Sequence, residues 1–196
     1  GILFQKRQNF QSALDRYHID GEIEFQKEWI KDSAEIFKNT FGYYSKSFIA
    51  PAYIWHNDIH SDLVNSNVKS LQGIKLQYES NNSSKIKYKR KLHYTGEREK
   101  KTGLLYTTRN TFFEPAIYNK DWLNTTLQGV QKAFQHNNPA IIGSHRINYI
   151  GSLNEQNRTN NLRMLKTILK NIVLKYPNVE FISSSELVNI IIQCKS

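Results

Sequence analysis

The residues best suited to chemistry stand together at the end of the stretch Asn138-Pro139-Ala140-Ile141-Ile142-Gly143-Ser144-His145-Arg146-Ile147-Asn148-Tyr149. Ala140 to Ile142 is short and apolar, the pattern of a strand buried on both faces. Gly143 and Ser144 release it, and an imidazole (His145), a guanidinium (Arg146) and an amide (Asn148) follow within four positions. Imidazole takes up and returns protons near neutral pH. A neighbouring guanidinium and amide can hold it or bind a polar ligand. Polar side chains just past the carboxyl end of a strand are where strand-then-helix folds usually place chemistry. The competing reading is a basic loop that solvates a strand end.

The elements around this stretch follow from periodicity. Helical spacing of Phe10, Ala13, Leu14 and Tyr17 allows a short opening helix. Phe25, Trp29, Ile30, Ala34, Ile36 and Phe37 give one apolar face and predict a helix from Glu22 to Thr40, stopped at Phe41-Gly42. Ser47 to Ala50 reads as a short buried strand ended by Pro51. Asn57 or Asp58 is placed to cap a helix over Ile59, Leu63 and Val64, and Val68 to Leu71 is a further strand. Asp121 to Gln135 forms a helix with Trp122, Leu123, Leu127, Val130 and Phe134 inward. A long helix from Glu155 to Tyr176 buries Leu162, Leu165, Ile168, Leu169, Ile172, Val173 and Tyr176 before Pro177 closes it. Val179 to Ile182 is a last strand, and Ser183-x-x-Glu186 a capping box for a final helix.

Residues 74–118 differ in style. From Lys85 to Tyr94, lysines and His93 alternate with Ile86, Tyr88, Arg90, Leu92 and Tyr94, which predicts a strand with one cationic wet face and one mostly apolar face. Leu104 to Thr108 returns as its partner, so the segment reads as a β-hairpin inserted into a single α/β domain over residues 1–196. The alternation of strands and helices outside it favours a parallel sheet with right-handed crossovers. Only four strands are countable there, whereas a closed (β/α) barrel needs seven or eight and about 250 residues. The sheet is therefore open, or the chain is the carboxyl part of a larger barrel; the opening helix lacks a preceding strand, which favours the second.

Composition narrows the classes. Of 196 residues, 39% are hydrophobic and 12% aromatic, which suits one folded domain and excludes a disordered chain. No run approaches the roughly 18 apolar residues of a membrane span, and Gly1-Ile2-Leu3-Phe4 is too short for a signal core. The chain does not begin with Met, so its start is left open. A single cysteine, Cys194, excludes an internal disulfide and a cysteine-based metal site, and fits a reducing, cytoplasmic setting. The net charge of +10 raises nucleic acid as a partner. Yet residues 85–101 hold eight Lys or Arg against Glu97 and Glu99, a net of +6, so the charge belongs mostly to the hairpin. There no aromatic stacking platform interleaves with the lysines on the wet side, and nucleic acid ranks last.

Three stretches carry a resemblance. Ser47-Phe48-Ile49-Ala50-Pro51-Ala52-Tyr53-x-Trp55, Ser144-His145-Arg146, and Val179-Glu180-Phe181-Ile182-Ser183-Ser184-Ser185-Glu186-Leu187 resemble, in order, the Phe-Arg-x-Pro motif, the closing histidine motif and the last strand and helix of polysaccharide deacetylases of the carbohydrate esterase family 4 type. The segment with His93-Tyr94-Thr95-Gly96 and Arg109-Asn110-x-Phe112-Phe113-Glu114-Pro115 looks like a bacterial subgroup known only as polysaccharide-deacetylase-like. The similarity spans nearly the whole chain but only the later half of the family's domain. It implies an incomplete (β/α) barrel of the glycoside hydrolase/deacetylase type, with a missing amino-terminal half or a second copy as completion. It also implies a zinc-like divalent metal and a carbohydrate substrate with N- or O-acetyl groups. The family's metal-binding Asp-His-His set is not found: there is no Thr-Phe-Asp-Asp stretch, His56-x-x-x-His60 lacks the preceding acid, and Ile49 replaces the family's Arg.

On that resemblance His145 matches the family's catalytic acid, and Glu114 is a second acid/base candidate at a loop mouth. Trp55 and Tyr53 would stack on a sugar ring, Arg109 and Asn110 would clamp a polyhydroxyl or anionic ligand, and Arg146 and Asn148 would hold His145 or a sugar hydroxyl. Each has a structural alternative: core filling for the aromatics, pairing for Arg109 and Asn110, a solvated turn for Glu114. The functional expectations are a metal-dependent carbohydrate deacetylase, or a carbohydrate-binding module on a degenerate barrel. The first expects His145, Trp55, Arg109 and Glu114 to share one cleft.

Overall fold

The computed structural model describes residues 22–80, 88–117 and 119–194; the helix expected over Phe10 to Tyr17 lies outside them. In chain order the elements are α1 (Glu22–Phe41), β1 (Ser47–Ile49), 3₁₀ turns at Pro51–Tyr53 and Asn57–Ile59, α2 (His60–Asn65), β2 (Ser70–Ile74), β3 (Leu76–Ser80), β4 (Tyr88–Leu92) and β5 (Leu105–Arg109). Then follow β6 (Thr111–Phe112), α3 (Trp122–Gln135), β7 (Ile142–Gly143), a 3₁₀ turn at Arg146–Tyr149, α4 (Glu155–Lys175) and α5 (Ser184–Gln193). The chain divides into two compact units, one of residues up to Thr107 with Ser184 onward, the other Thr108–Ser183. The boundary falls inside β5.

In the first unit, β1 pairs in parallel with β2, Phe48 opposite Leu71, and β5 joins on the far side of β2. Helix α1 stops where expected: Gly42 takes φ 81° and its N–H bonds back to the Lys38 carbonyl at 2.7 Å. A Cβ is disfavoured in that left-handed conformation, which suits glycine. The core gathers Ile30 from α1, Ala50, Trp55, Ile59, Leu63, Leu71, Leu104 and Tyr106. The described residues form a mixed α/β fold with short parallel sheets and no closed barrel.

The hairpin of this unit is not the expected one. β4 pairs antiparallel with β3, Gln77 opposite Lys91 and Glu79 opposite Lys89, while Leu105–Arg109 joins the parallel sheet. Its faces hold at the start, where Lys89 is exposed and Tyr88 half-buried, but are reversed from Lys91 onward. Leu92 and Tyr94 are exposed, whereas His93 is buried and Lys91 half-buried. The reason is a buried polar face on β3. Glu79, 4% exposed, takes the Lys91 ammonium at 2.8 Å, and the Gln77 carbonyl sits 2.8 Å from His93 Nε2. A buried carboxylate is tolerable only when paired, so the lysine expected in water turns inward. His93 also lies flat on Tyr106, with centroids 3.7 Å apart.

In the second unit, β6 and β7 form a two-residue parallel ladder, Thr111 opposite Ile142 and Phe112 opposite Gly143. α3 and α4 pack beside it around Phe113, Trp122, Val130, Ile168 and Ile172. Asp121 caps α3 through its carboxylate and the Asn124 N–H at 3.0 Å, and Asn154 caps α4 in the same way. The long helix buries a narrower face than expected: Ile168 and Ile172 are buried and Leu165 and Tyr176 half-buried, as the periodicity predicts, but Leu162, Leu169 and Val173 are exposed and Asn161 joins the buried side. Val179 to Ile182, expected as a strand, has no regular secondary structure and links α4 to α5. No helix among the described residues is long and apolar enough to cross a membrane.

Candidate functional site

Two turns of the second unit deliver the site. The first follows β6, where Phe113 is fully buried and Glu114 is carried just beyond it. The second follows β7, where Gly143 ends the ladder and His145 precedes the 3₁₀ turn. The ladder holds the two turns side by side: the Phe113 N–H bonds the Gly143 carbonyl at 3.0 Å. Gly143 is required there, since a Cβ would lie 2.9 Å from Arg109 Cδ and 3.0 Å from the Phe112 ring.

Glu114 and His145 meet at the junction. His145 Nδ1 lies 2.6 Å from Glu114 Oε1, and the His145 N–H reaches Oε2 at 3.3 Å. An ionised carboxylate only accepts, so Nδ1 carries the proton and donates it. In the neutral imidazole that leaves Nε2 as the basic nitrogen. The burial is lopsided: the Glu114 side chain is 6% exposed and that of His145 61%. A buried carboxylate thus fixes the tautomer of an imidazole that reaches solvent.

Asn148 makes the arrangement rigid. It is fully buried, and its Nδ2 lies within hydrogen-bond distance of Glu114 Oε2 (2.8 Å), the His145 carbonyl (2.9 Å), Ser144 Oγ (3.0 Å) and the Phe113 carbonyl (3.2 Å). Its Oδ1 accepts the Ala116 N–H at 3.0 Å, binding the first turn to the second. Ser144 Oγ donates to the Phe113 carbonyl at 2.7 Å and meets the Tyr149 hydroxyl at 2.8 Å. Asn161 on α4 holds the Asn148 carbonyl at 3.0 Å. Sequence reasoning named Asn148 but missed Ser144, Tyr149 and Asn161 as its supports. Ser144 lies four residues before Asn148, Tyr149 directly after it and Asn161 thirteen residues on in α4, a scatter that resembles ordinary loop and helix-surface polarity.

Asn110 spends its amide on backbone, donating to the Pro139 carbonyl at 2.8 Å and accepting from the Ile141 N–H at 2.9 Å; it aligns the approach to β7. Arg109 is half-buried beside Gly143, and Arg146 is exposed at the start of the 3₁₀ turn. Trp55 and Tyr53 belong to the first unit. Trp55 is 3% exposed, and its indole N–H donates to His60 Nε2 at 3.0 Å, so its ring faces are core contacts and not a sugar platform. Tyr53 is half-buried and, with Ala52, takes a left-handed conformation, φ 57° and 53°.

The two histidines of His56-x-x-x-His60 do not act as a pair. His60 is buried as the acceptor for Trp55, and burial pushes its pKa down to about 4. His56 caps the next turn through Nδ1, accepting the Asp58 N–H at 3.2 Å; burial lowers its pKa too. Among the described residues no group of three or more His, Cys, Asp or Glu side chains is arranged to hold an ion. The divalent metal that the resemblance implies therefore has no ready ligand set among the described residues. Compared with known proteins, the chain matches no family model, no curated protein and no solved structure.

Proposed function

We propose that Glu114, His145 and Asn148 form the acid/base part of a hydrolytic site acting on N- or O-acetylated carbohydrate, within a polysaccharide-deacetylase-like protein. The observation that carries the acid/base role is the 2.6 Å contact between a buried carboxylate and an imidazole whose side chain is 61% exposed. The acetylated-sugar substrate rests on the resemblance of Ser144-His145-Arg146 and of the segment around Glu114. His145 Nε2 takes a proton from a water molecule as its oxygen attacks the acetyl carbonyl. The same proton passes to the leaving nitrogen or oxygen as its bond to carbon breaks, giving acetate and the free amine or hydroxyl. Glu114 holds the ring and balances the transient imidazolium, and Asn148 holds Glu114.

The test is acetate release from N-acetylglucosamine oligomers and from O-acetylated oligosaccharides. His145→Gln should reduce turnover by roughly 10²–10⁴-fold, the usual worth of a positioned acid/base group. Glu114→Gln keeps an acceptor for Nδ1 but loses the charge and should fall between that variant and the native chain. No acetate from either substrate class, or equal turnover in His145→Gln, removes the proposal.

A further inference from the structure

The outer face of α4 carries an apolar stripe that the hydrolytic reading does not use. Leu162, Leu165, Leu169 and Val173 recur at intervals of three and four residues, so they line one side of the helix. Leu165 is half-buried against the core of the second unit, but Leu162 is 46% exposed, Leu169 36% and Val173 47%. Lys166 and Lys170 edge the same shallow surface. Single exposed aliphatic side chains are ordinary, whereas a continuous exposed row of them marks a surface that another molecule covers. The charge is one-sided. The only acid of α4, Glu155, stands in its first turn and pairs with Arg158 at 2.8 Å. Every charged residue from Arg163 to the end of the helix is Lys or Arg.

We propose that this face is a docking site for an acidic amphipathic helix of a partner protein, one with its own leucine stripe and with Asp or Glu along an edge. Two helices bury such stripes by laying the side-chain ridges of one into the grooves of the other, with anchors at i, i+3, i+4 and i+7. The partner's apolar row covers Leu162, Leu169 and Val173, and its carboxylates meet Lys166 and Lys170. Within α4 these lysines have no acid to meet. At i±3 and i±4, where a helix pairs opposite charges, they face only uncharged residues, Arg163 and each other. A second copy of this chain fits less well, because antiparallel pairing of two such stripes brings the lysine edges of both copies to one seam. A lipid surface also fits less well, since the stripe holds no Trp, Phe or Tyr to seat among headgroups. The site stands on α4 alone and does not depend on the dyad.

The probe is a fluorescein-labelled synthetic helix with leucine at the a and d positions of each heptad and glutamate at the flanking ones, titrated with the full chain by fluorescence anisotropy. Its comparators are the same peptide with lysine for glutamate, and a peptide of the acidic composition with its leucines scrambled. The expected Kd for the acidic helix is on the order of 10 μM, with both comparators about tenfold weaker or worse. Leu169→Asp should weaken the acidic helix about tenfold, the loss of one anchor. Lys166→Glu combined with Lys170→Glu should turn the preference toward the lysine peptide. All three side chains are exposed, and should a variant fail to fold, the three peptides on the unaltered chain decide. No saturable binding, equal affinity for either comparator, or an unchanged preference in the double variant overturns the proposal. So does self-association in sedimentation that Leu169→Asp abolishes, which would assign the face to a second copy. Binding to phosphatidylserine vesicles with none of the acidic helix would overturn it in favour of a membrane.

Discussion

At the scale of single residues, one amide does more than its position suggests. Asn148 has two N–H groups facing four acceptors, one of them a carboxylate oxygen that is itself buried. Asn148→Leu would take the Asn148 donor from Glu114 Oε2 and from the Phe113 carbonyl, leaving them only the His145 N–H and the Ser144 hydroxyl, and would release the Ala116 N–H that ties the two turns together. The expected loss of stability is about 2–4 kcal/mol, read by urea denaturation. A loss under about 1 kcal/mol would show that the turns hold without it. His145 was legible because a polar cluster directly after an apolar run is a strong local signal. Its partner was not fixed by the same means: Glu114 lies 31 residues earlier, and the sequence left it equally a solvated glutamate before Pro115. Trp55 was misread because an indole a few residues after a proline turn looks alike whether it meets a sugar or a core. The deciding contact, His60 at 3.0 Å, is a tertiary fact.

At the scale of elements, helices were read well and sheets poorly. α1, α3 and α4 lie within about two residues of their expected ends, since capping groups and a 3.6-residue period are local. β3 was absent from the sequence reading because Leu76–Ser80 hides two buried polar residues, Gln77 and Glu79, whose partners sit on β4. The buried face of α4 was drawn too wide because apolar side chains run around more than half of the helix. The packing of α3 on β6 supplies a test in which two effects have opposite signs. Gly129→Ala improves helix propensity by about 1 kcal/mol. However, its methyl would lie 2.9 Å from Thr111 Cγ2 and 3.0 Å from Thr111 Oγ1, inside normal contact, and overpacking costs about 1–3 kcal/mol. Thr111 is 2% exposed and opposes Ile142 in the ladder, so it has little room to yield. A net loss of stability is expected for Gly129→Ala, turning to a gain when combined with Thr111→Ala. Calorimetry of the two single variants and the double variant would check both signs.

At the scale of the whole molecule, acid should act mainly on the first unit. Burial lowers the pKa of His56, His60 and His93, all in that unit, that of His60 to about 4 from 6.5. An unfolded chain then binds protons that the folded one refuses. Stability is complete above about pH 6.5 and declines as pH falls toward 4, by about 3 kcal/mol for His60 alone. His60→Gln keeps an acceptor for the Trp55 indole and removes the titration. Its urea midpoint should vary less between pH 7 and 4.5 than that of the native chain, and an equal dependence would contradict the assignment. The second unit offers a different measurement. The Ala116 N–H, the Phe113 N–H and the Asn148 side chain belong to one knot, so the loops bearing Glu114 and His145 have no independent way to open. In deuterated solvent, the amide protons of Phe113 and Ala116 should exchange at a common slow rate, as leaves of one hinge would, although one belongs to a ladder and the other to an irregular bend.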